Sequence, residues 1–403
     1  MTLRNWISGF LAILTLSISM TPLDAMQEMN VTWKNGLRFS TADGENSISL
    51  GGRLQIDAGF FSVAAGVAPE PDSPYVEKDG VEMRRARLAI AGVIGGNVEF
   101  KTQYDFGGGD ADFKDAYVGL KDAGFLGHIR VGQLKEPMGL EEATSSKYIT
   151  FAERSFTSAI NPGRNTGLLS MHSLGADDNG SVAIGYFKDV DGFGDGQEDD
   201  QSSLTGRVTY LPLFEDSGHR LLHLGASFST RDSSGGSVRY HADSLSHMGV
   251  DIVDSGDISS ASADLFGAEV AYLTGPWSVQ AELITSTLED DSEVTAWYAQ
   301  GSYFLSGESR PYKKSTASFS RVKPKNNYGK DGSGAIELAI RVQEIELQEM
   351  NDDENAEALS IGINWYLNAN ARVMFNVIDA SPDAASGYGN DVNSYVMRFA
   401  VNF

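Results

Sequence analysis

Two stretches of the sequence carry residue types that could do chemistry at short range. The run Asp189-Val190-Asp191-Gly192-Phe193-Gly194-Asp195-Gly196 sets carboxylates among glycines, as a calcium loop would. It lacks a ligand at the fifth loop position and has no flanking helices, so it reads as a solvated acidic loop rather than an EF-hand. His219 and His223 have the His-x-x-x-His spacing of a helical metal site. They lie around a turn at Gly218 and the start of a strand, where that spacing does not put two side chains on one face. The sequence contains no Gly-x-Ser-x-Gly elbow, P-loop or dinucleotide fingerprint. Neither an enzymatic centre nor a metal or cofactor is expected.

The elements that would position any site follow from the ends and the composition. Arg4 opens a short basic region, Trp6 to Met20 is mostly apolar, and Pro22-Leu23-Asp24-Ala25 offers a small-residue cleavage point. This run is too short for a membrane-spanning helix, so residues 1–25 are expected to be an export signal cut near Ala25. Residues 26–403 then form one domain without an internal linker. The chain has 44 Gly, 11 Pro and no Cys, which leaves an exported protein without disulfides and dependent on strand pairing and burial. Its net charge of -24, unchanged by loss of Arg4 and Asp24, disfavours nucleic acid as a partner.

Period-two alternation recurs along the chain. Tyr395, Met397, Phe399, Val401 and Phe403 share one face of the last segment, opposite Arg398 and Asn402. Leu359, Ile361, Ile363 and Trp365 repeat the pattern, as do Ile336, Leu338, Ile340 and Val342, and Trp277, Val279, Ala281 and Leu283. Val98, Phe100, Thr102, Tyr104 and Phe106 alternate with Glu99, Lys101, Gln103 and Asp105. A soluble sandwich and a lipid-embedded barrel both alternate in this way, with opposite faces buried. Segments of about 9–11 residues match a tilted transmembrane strand. Charges on the polar face (Glu282, Glu337, Arg341, Arg398) suit a water-filled interior. Short connectors such as Leu367-Asn368-Ala369-Asn370 and Leu273-Thr274-Gly275-Pro276 contrast with long ones at 66–80, 189–201, 232–260 and 323–333. Short turns at one end and long loops at the other is the outer-membrane pattern, and about 378 residues at roughly 23 per strand and connector give about 16 strands. The expected fold is all-β, an antiparallel transmembrane barrel. Its terminal aromatic, Phe403, resembles the signal read by the barrel-assembly machinery of Gram-negative outer membranes.

A family resemblance sharpens this. Val131-Gly132-Gln133-Leu134-Lys135-Glu136-Pro137-Met138-Gly139-Leu140-Glu141-Glu142-Ala143-Thr144-Ser145-Ser146-Lys147, followed by Glu153-Arg154, resembles the phosphate-selective porins O and P. Leu50-Gly51-Gly52-Arg53-Leu54-Gln55, Arg84-Arg85-Ala86, Phe113-Lys114-Asp115-Ala116, Ile363-Asn364-Trp365-Tyr366 and Val396-Met397-Arg398 match in the same order. The resemblance implies a homotrimer of 16-stranded barrels in contact with outer-membrane lipid and lipopolysaccharide, each narrowed by inward-folded loops where small anions such as phosphate bind. At the narrowing it implies Arg53, Arg84, Arg85, Ser145 and Ser146, with Lys114 where the family has an aspartate and Glu142 where it has a lysine. If those two lie close together, they have exchanged ends and the positive field persists. Arginine suits the task because its planar fork donates paired bonds to oxyanions at any relevant pH. The family's arginine-rich approach is reduced here to Arg239 and His241, which implies weaker steering and looser discrimination among anions. A surface adhesin or scaffold, and a membrane-barrel hydrolase, are the alternative functions.

Overall fold

The computed structural model describes residues 29–33, 35–63, 79–109, 111–190, 194, 196, 202–232, 236–329, 332–348, 354–383 and 391–403. The expected leader and most of the acidic run after Val190 lie outside them. Alternation along the strands resolves in the membrane sense. On one strand Leu54 is 43% exposed and Ile56 44%, while Arg53 between its neighbours is 4% exposed and Asp57 2%. Leu338, Ile340 and Val342, Ile361 and Ile363, and Phe399 and Val401 likewise face outward, with Arg341, Ser360 and Arg398 inside. A dry sandwich core would invert this arrangement.

Strands β1 (Met29–Trp33) and β2 (Leu37–Thr41) form a hairpin, and β2 pairs with the start of β3 (Ser47–Val63). The wall continues through β4 (Gly80–Ile94), β5 (Val98–Asp105), β6 (Asp112–Leu120), β7 (His128–Lys135), β8 (Arg164–Leu174), β9 (Gly180–Lys188), β10 (Ser202–Glu215) and β11 (Arg220–Asp232). Four short strands follow in the next connector: β12 (Ser237–Val238), β13 (His241–Asp243), β14 (Asp251–Asp254) and β15 (Ile258–Ser259). The wall resumes with β16 (Ser262–Thr274), β17 (Trp277–Leu288) and β18 (Glu293–Phe304). A connector carrying β19 (Tyr312–Lys313) and β20 (Ser318–Phe319) leads to β21 (Ala335–Gln348), β22 (Asn355–Tyr366), β23 (Ala371–Pro382) and β24 (Val392–Asn402). Among the described residues sixteen antiparallel strands make the wall, and β24 closes it on β3 from Val392↔Val63 to Asn402↔Arg53. Closure leaves no wall strand with an open edge in lipid.

The seam depends on one close approach. The Phe403 N–H donates to the Gly52 carbonyl at 3.1 Å, and the Phe403 carbonyl accepts the Gly52 N–H at 2.6 Å. A Cβ on Gly52 would stand 2.4 Å from the Arg87 carbonyl oxygen and 2.8 Å from the Phe403 ring, so a side chain there would push the terminal aromatic out of place.

Two expectations need correcting. The long connector containing 323–333 is at the turn end, since Phe304, where it begins, bonds to Pro276 in the short turn before β17. Connector length alone cannot assign an end. The inner face is also not uniformly wet. Ala263, Leu265, Ile284, Leu288, Val294, Ile345, Met374 and Ile378 of β16–β23 point inward and pack on Met138, Phe156 and Ile160 from 136–163 and on Tyr240, Leu245 and Ile252 from 236–261. These connectors fold into the barrel against one half of the wall. The open lumen is displaced toward the other half, β3–β10.

Candidate functional site

The narrowing is built by the segment 136–163, which is tied to the wall by polar side chains. Its single helical turn, α1 (Leu140–Ala143), starts on the Glu282 carboxylate, which accepts the Leu140 and Glu141 N–H groups at 2.7 and 2.6 Å. Asn364 donates to the Thr150 carbonyl at 2.8 Å, and Asn376 accepts the Ala152 N–H at 2.8 Å. Arg341 pairs with Glu141 at 3.3 Å, and Arg398 bridges Asp57 and Glu153. The wall charges Glu282, Arg341 and Arg398, expected to face water, are therefore engaged in holding this segment. Buried donors and acceptors need such partners.

The segment presents Ser145 and Ser146 to the lumen, where Arg53 donates to the Ser146 hydroxyl at 2.5 Å. Arg53 has no ion-pair partner among the described residues. Gln55 links the two sides, donating to the Ser146 carbonyl at 3.3 Å and accepting from Arg85 at 2.9 Å. Arg84 and Arg85 both reach Glu153, Arg84 through a fork at 2.8 and 3.1 Å and Arg85 at 3.2 Å. Consecutive strand residues ordinarily point to opposite faces. Here the β3–β4 register slips between Gln55↔Arg85 and Asp57↔Glu82, and the extra residue in β4 turns Arg84 inward as well.

Lys114 and Glu142 form no ion pair with each other, and each is held by other partners. Lys114 lies 3.4 Å from Asp112, while Glu142 is held by Lys135 at 2.6 Å and Arg154 at 2.9 Å. Burial pushes the Glu142 carboxyl up, but Arg154 and Lys135 outweigh it and hold it at about 2. Burial also opposes ionisation of Glu153, and Arg85, Arg398 and Arg84 together keep its carboxyl well below the usual range. Arg239 and His241 are exposed, paired with Asp254 and Asp251, and do not line the lumen.

Several lumen cations carry no distinctive local motif. Lys101 and Arg164 share Asp115, and Arg87 pairs with Asp105 at 2.6 Å. Lys313 and Lys314 enter from the inward turn between β18 and β21. Lys147 has no ion-pair partner among the described residues, and burial, then Arg53 and Arg321, bring its ammonium down to about 7. Only Lys147 had a visible pointer, the matched Thr-Ser-Ser-Lys run; the rest are brought in by barrel curvature and inward folding.

Arg87, Lys101, Arg164, Lys313 and Lys314 line a cavity of about 880 Å³; Lys147 stands outside it. Its walls carry twelve Lys or Arg side chains against four carboxylates, in a chain whose net charge is -24. Arg53, Arg85, Ser145 and Ser146 line it; Arg84, Lys114 and Glu142 do not. Positive charge is concentrated where a solute would pass, and low-dielectric walls focus such a field.

Known proteins give the same frame. The family described as phosphate-selective porin O and P matches residues 48–403. Porin O of Pseudomonas aeruginosa is 26% identical over 410 residues, covering 89% of this chain and 88% of that one. Among solved structures, the anion-selective porin from Comamonas acidovorans superposes with a TM-score of 0.56 at 13% identity, over 89% of this chain and 100% of that one. The outer membrane channel DcaP of Acinetobacter baumannii gives 0.56 at 11% identity, over 91% and 99%. At these identities the two structures establish the shared fold. The closed barrel, its inward-folded segments and the family match converge on one conclusion: the chain belongs to the phosphate-selective porin O and P family and is a channel of the Gram-negative outer membrane.

Proposed function

We propose that the channel passes small hydrophilic solutes passively and favours small anions, without strict selection for phosphate. The excess of lumen cations in a strongly acidic chain carries this reading. The family's name and the anion selectivity of the Comamonas porin agree with it. Looseness toward phosphate follows from the engaged arginines: Arg84, Arg85 and Arg87 already hold carboxylates, leaving Arg53, Ser145 and Ser146 to replace an ion's water. A filter must bind firmly enough to admit an ion and weakly enough to release it. In this reading residues 1–25 are the export leader and 26–403 the barrel, inserted by the assembly machinery as a homotrimer in contact with lipid and lipopolysaccharide.

Chloride current in planar bilayers, measured with added phosphate or sulfate, tests the proposal. Both oxyanions should block with similar potency, and Arg53→Ala should weaken the block about 3- to 10-fold, as expected for one unit charge in a partly screened site. Equal block in wild type and Arg53→Ala would remove Arg53 from the filter. A purified barrel that inserts without conducting would favour a surface scaffold.

A further inference from the structure

A second group of cations stands apart from the large lumen cavity. Lys147 and Tyr148 of the constricting segment, Arg321 and Val322 of the inward turn, and Tyr366, Asn368, Ala369, Asn370, Ala371 and Arg372 at the β22–β23 turn enclose a small pocket with Asn402. No carboxylate lines it. Glu337, outside that lining, accepts the Tyr366 hydroxyl at 2.8 Å and the Asn364 amide at 2.9 Å through one carboxylate oxygen, while its other oxygen is buried without a partner among the described residues.

Both guanidinium groups are more than nine-tenths buried, Arg321 at 6% exposure and Arg372 at 3%. Each uses part of its donor set to hold backbone. Arg321 donates to the Ala369 carbonyl at 2.9 Å and Arg372 to the Ile149 carbonyl at 2.8 Å; their contacts to the Tyr148 and Tyr366 hydroxyls are long, at 3.5 Å. Arg321 Nε, Arg372 Nε and one terminal Arg372 nitrogen are buried with no acceptor among the described residues. The Asn402 amide oxygen also lacks a partner, and a flip of that amide would present its NH₂ group instead. Three cations sharing a carboxylate-free pocket repel one another, and their buried N–H groups require an acceptor. A water molecule would supply acceptor oxygen without relieving the repulsion. An anion would do both.

Size narrows the class. The pocket offers about 20 Å³, against a minimum of ~10–15 Å³ to hold one water-sized body. That admits a bare halide. We propose that Arg321, Arg372 and Lys147 hold one small monovalent anion, of chloride size, as a resident ligand distinct from the ions that pass through the lumen. It fastens the constricting segment just after Ser145 and Ser146 to the inward turn and to the β22–β23 turn. It also offsets part of the repulsion on Lys147, so that Lys147 keeps its charge beside Arg53.

The test uses the full-length mature protein in detergent. Crystals grown in bromide should show an anomalous peak between the Arg321 and Arg372 guanidinium groups. In solution, the unfolding midpoint should rise saturably with chloride, compared with bulky gluconate at equal ionic strength, and Arg372→Gln and Arg321→Gln should lose that rise. Both variants are read by their chloride dependence, so a lower starting midpoint does not obscure the outcome; if Arg372→Gln fails to fold, Arg321→Gln carries the test. The proposal is overturned if no bromide peak appears there, if wild type shows no chloride-dependent rise, or if the folded variants retain the full rise despite a peak, which would mark an adventitious ion only.

Discussion

Glu153 illustrates how far a residue's role depends on partners that sequence position conceals. It receives Arg84, Arg85 and Arg398, from the two strands that flank β3 at the barrel seam. The family resemblance singled out Arg53, Arg84 and Arg85, which the structure sets against the constricting segment, and Ser145 and Ser146, which belong to it. It could not tell the acid-free Arg53 from the engaged Arg84 and Arg85, because their shared partner is 68 and 69 residues away in the chain. Lys135 and Arg154, which neutralise Glu142 from 7 and 12 residues away, were not singled out as site residues although the matched stretch contains them. Lys147 gives this scale its prediction. Burial and the neighbouring Arg53 and Arg321 put its ammonium at about 7. It is protonated below that value and loses its charge above it, so the anion-to-cation permeability ratio should fall as pH rises from about 6 to 8. Lys147→Arg, which stays protonated, should flatten the profile. An unchanged profile in that variant would assign the pH response to another group. A filled halide pocket would shift the fall to higher pH as chloride increases, which links this measurement to the resident-anion proposal.

At the scale of elements, the strands were legible and the insides of the connectors were not. Alternation marked β17, β21, β22 and β24 with their outward faces correctly assigned. Two things escaped it. The slip that turns Arg84 inward adds one residue to β4 and leaves no composition signal. The apolar inner faces of β16–β23 resemble ordinary strand residues until 136–163 and 236–261 fold onto them. The constricting segment is therefore held by two kinds of contact, apolar packing on one side and wall polar groups such as Glu282 on the other. Glu282→Ala would leave the buried Leu140 and Glu141 N–H groups without their acceptor, a cost of about 1–3 kcal/mol each. Open-channel noise should rise and the unfolding midpoint fall, with partial rescue by Glu282→Gln, which retains one acceptor oxygen. Quiet wild-type-like openings in Glu282→Ala would mean that apolar packing alone fixes the segment.

For the whole molecule, the charge distribution matters more than its total. A net charge of -24 would by itself predict a channel that repels anions. The fold sorts that charge, leaving lumen cations in large excess over carboxylates along β3–β10 and the inward turn. An eccentric lumen follows from the same architecture, since the inward connectors occupy the β16–β24 side. The most direct test is the reversal potential of single channels of the purified protein under a KCl gradient, at neutral pH and moderate salt, where screening leaves lumen fields intact. The account predicts a potential displaced toward the chloride equilibrium value, with the displacement reduced in Arg53→Ala. A potential displaced toward the potassium value would contradict it.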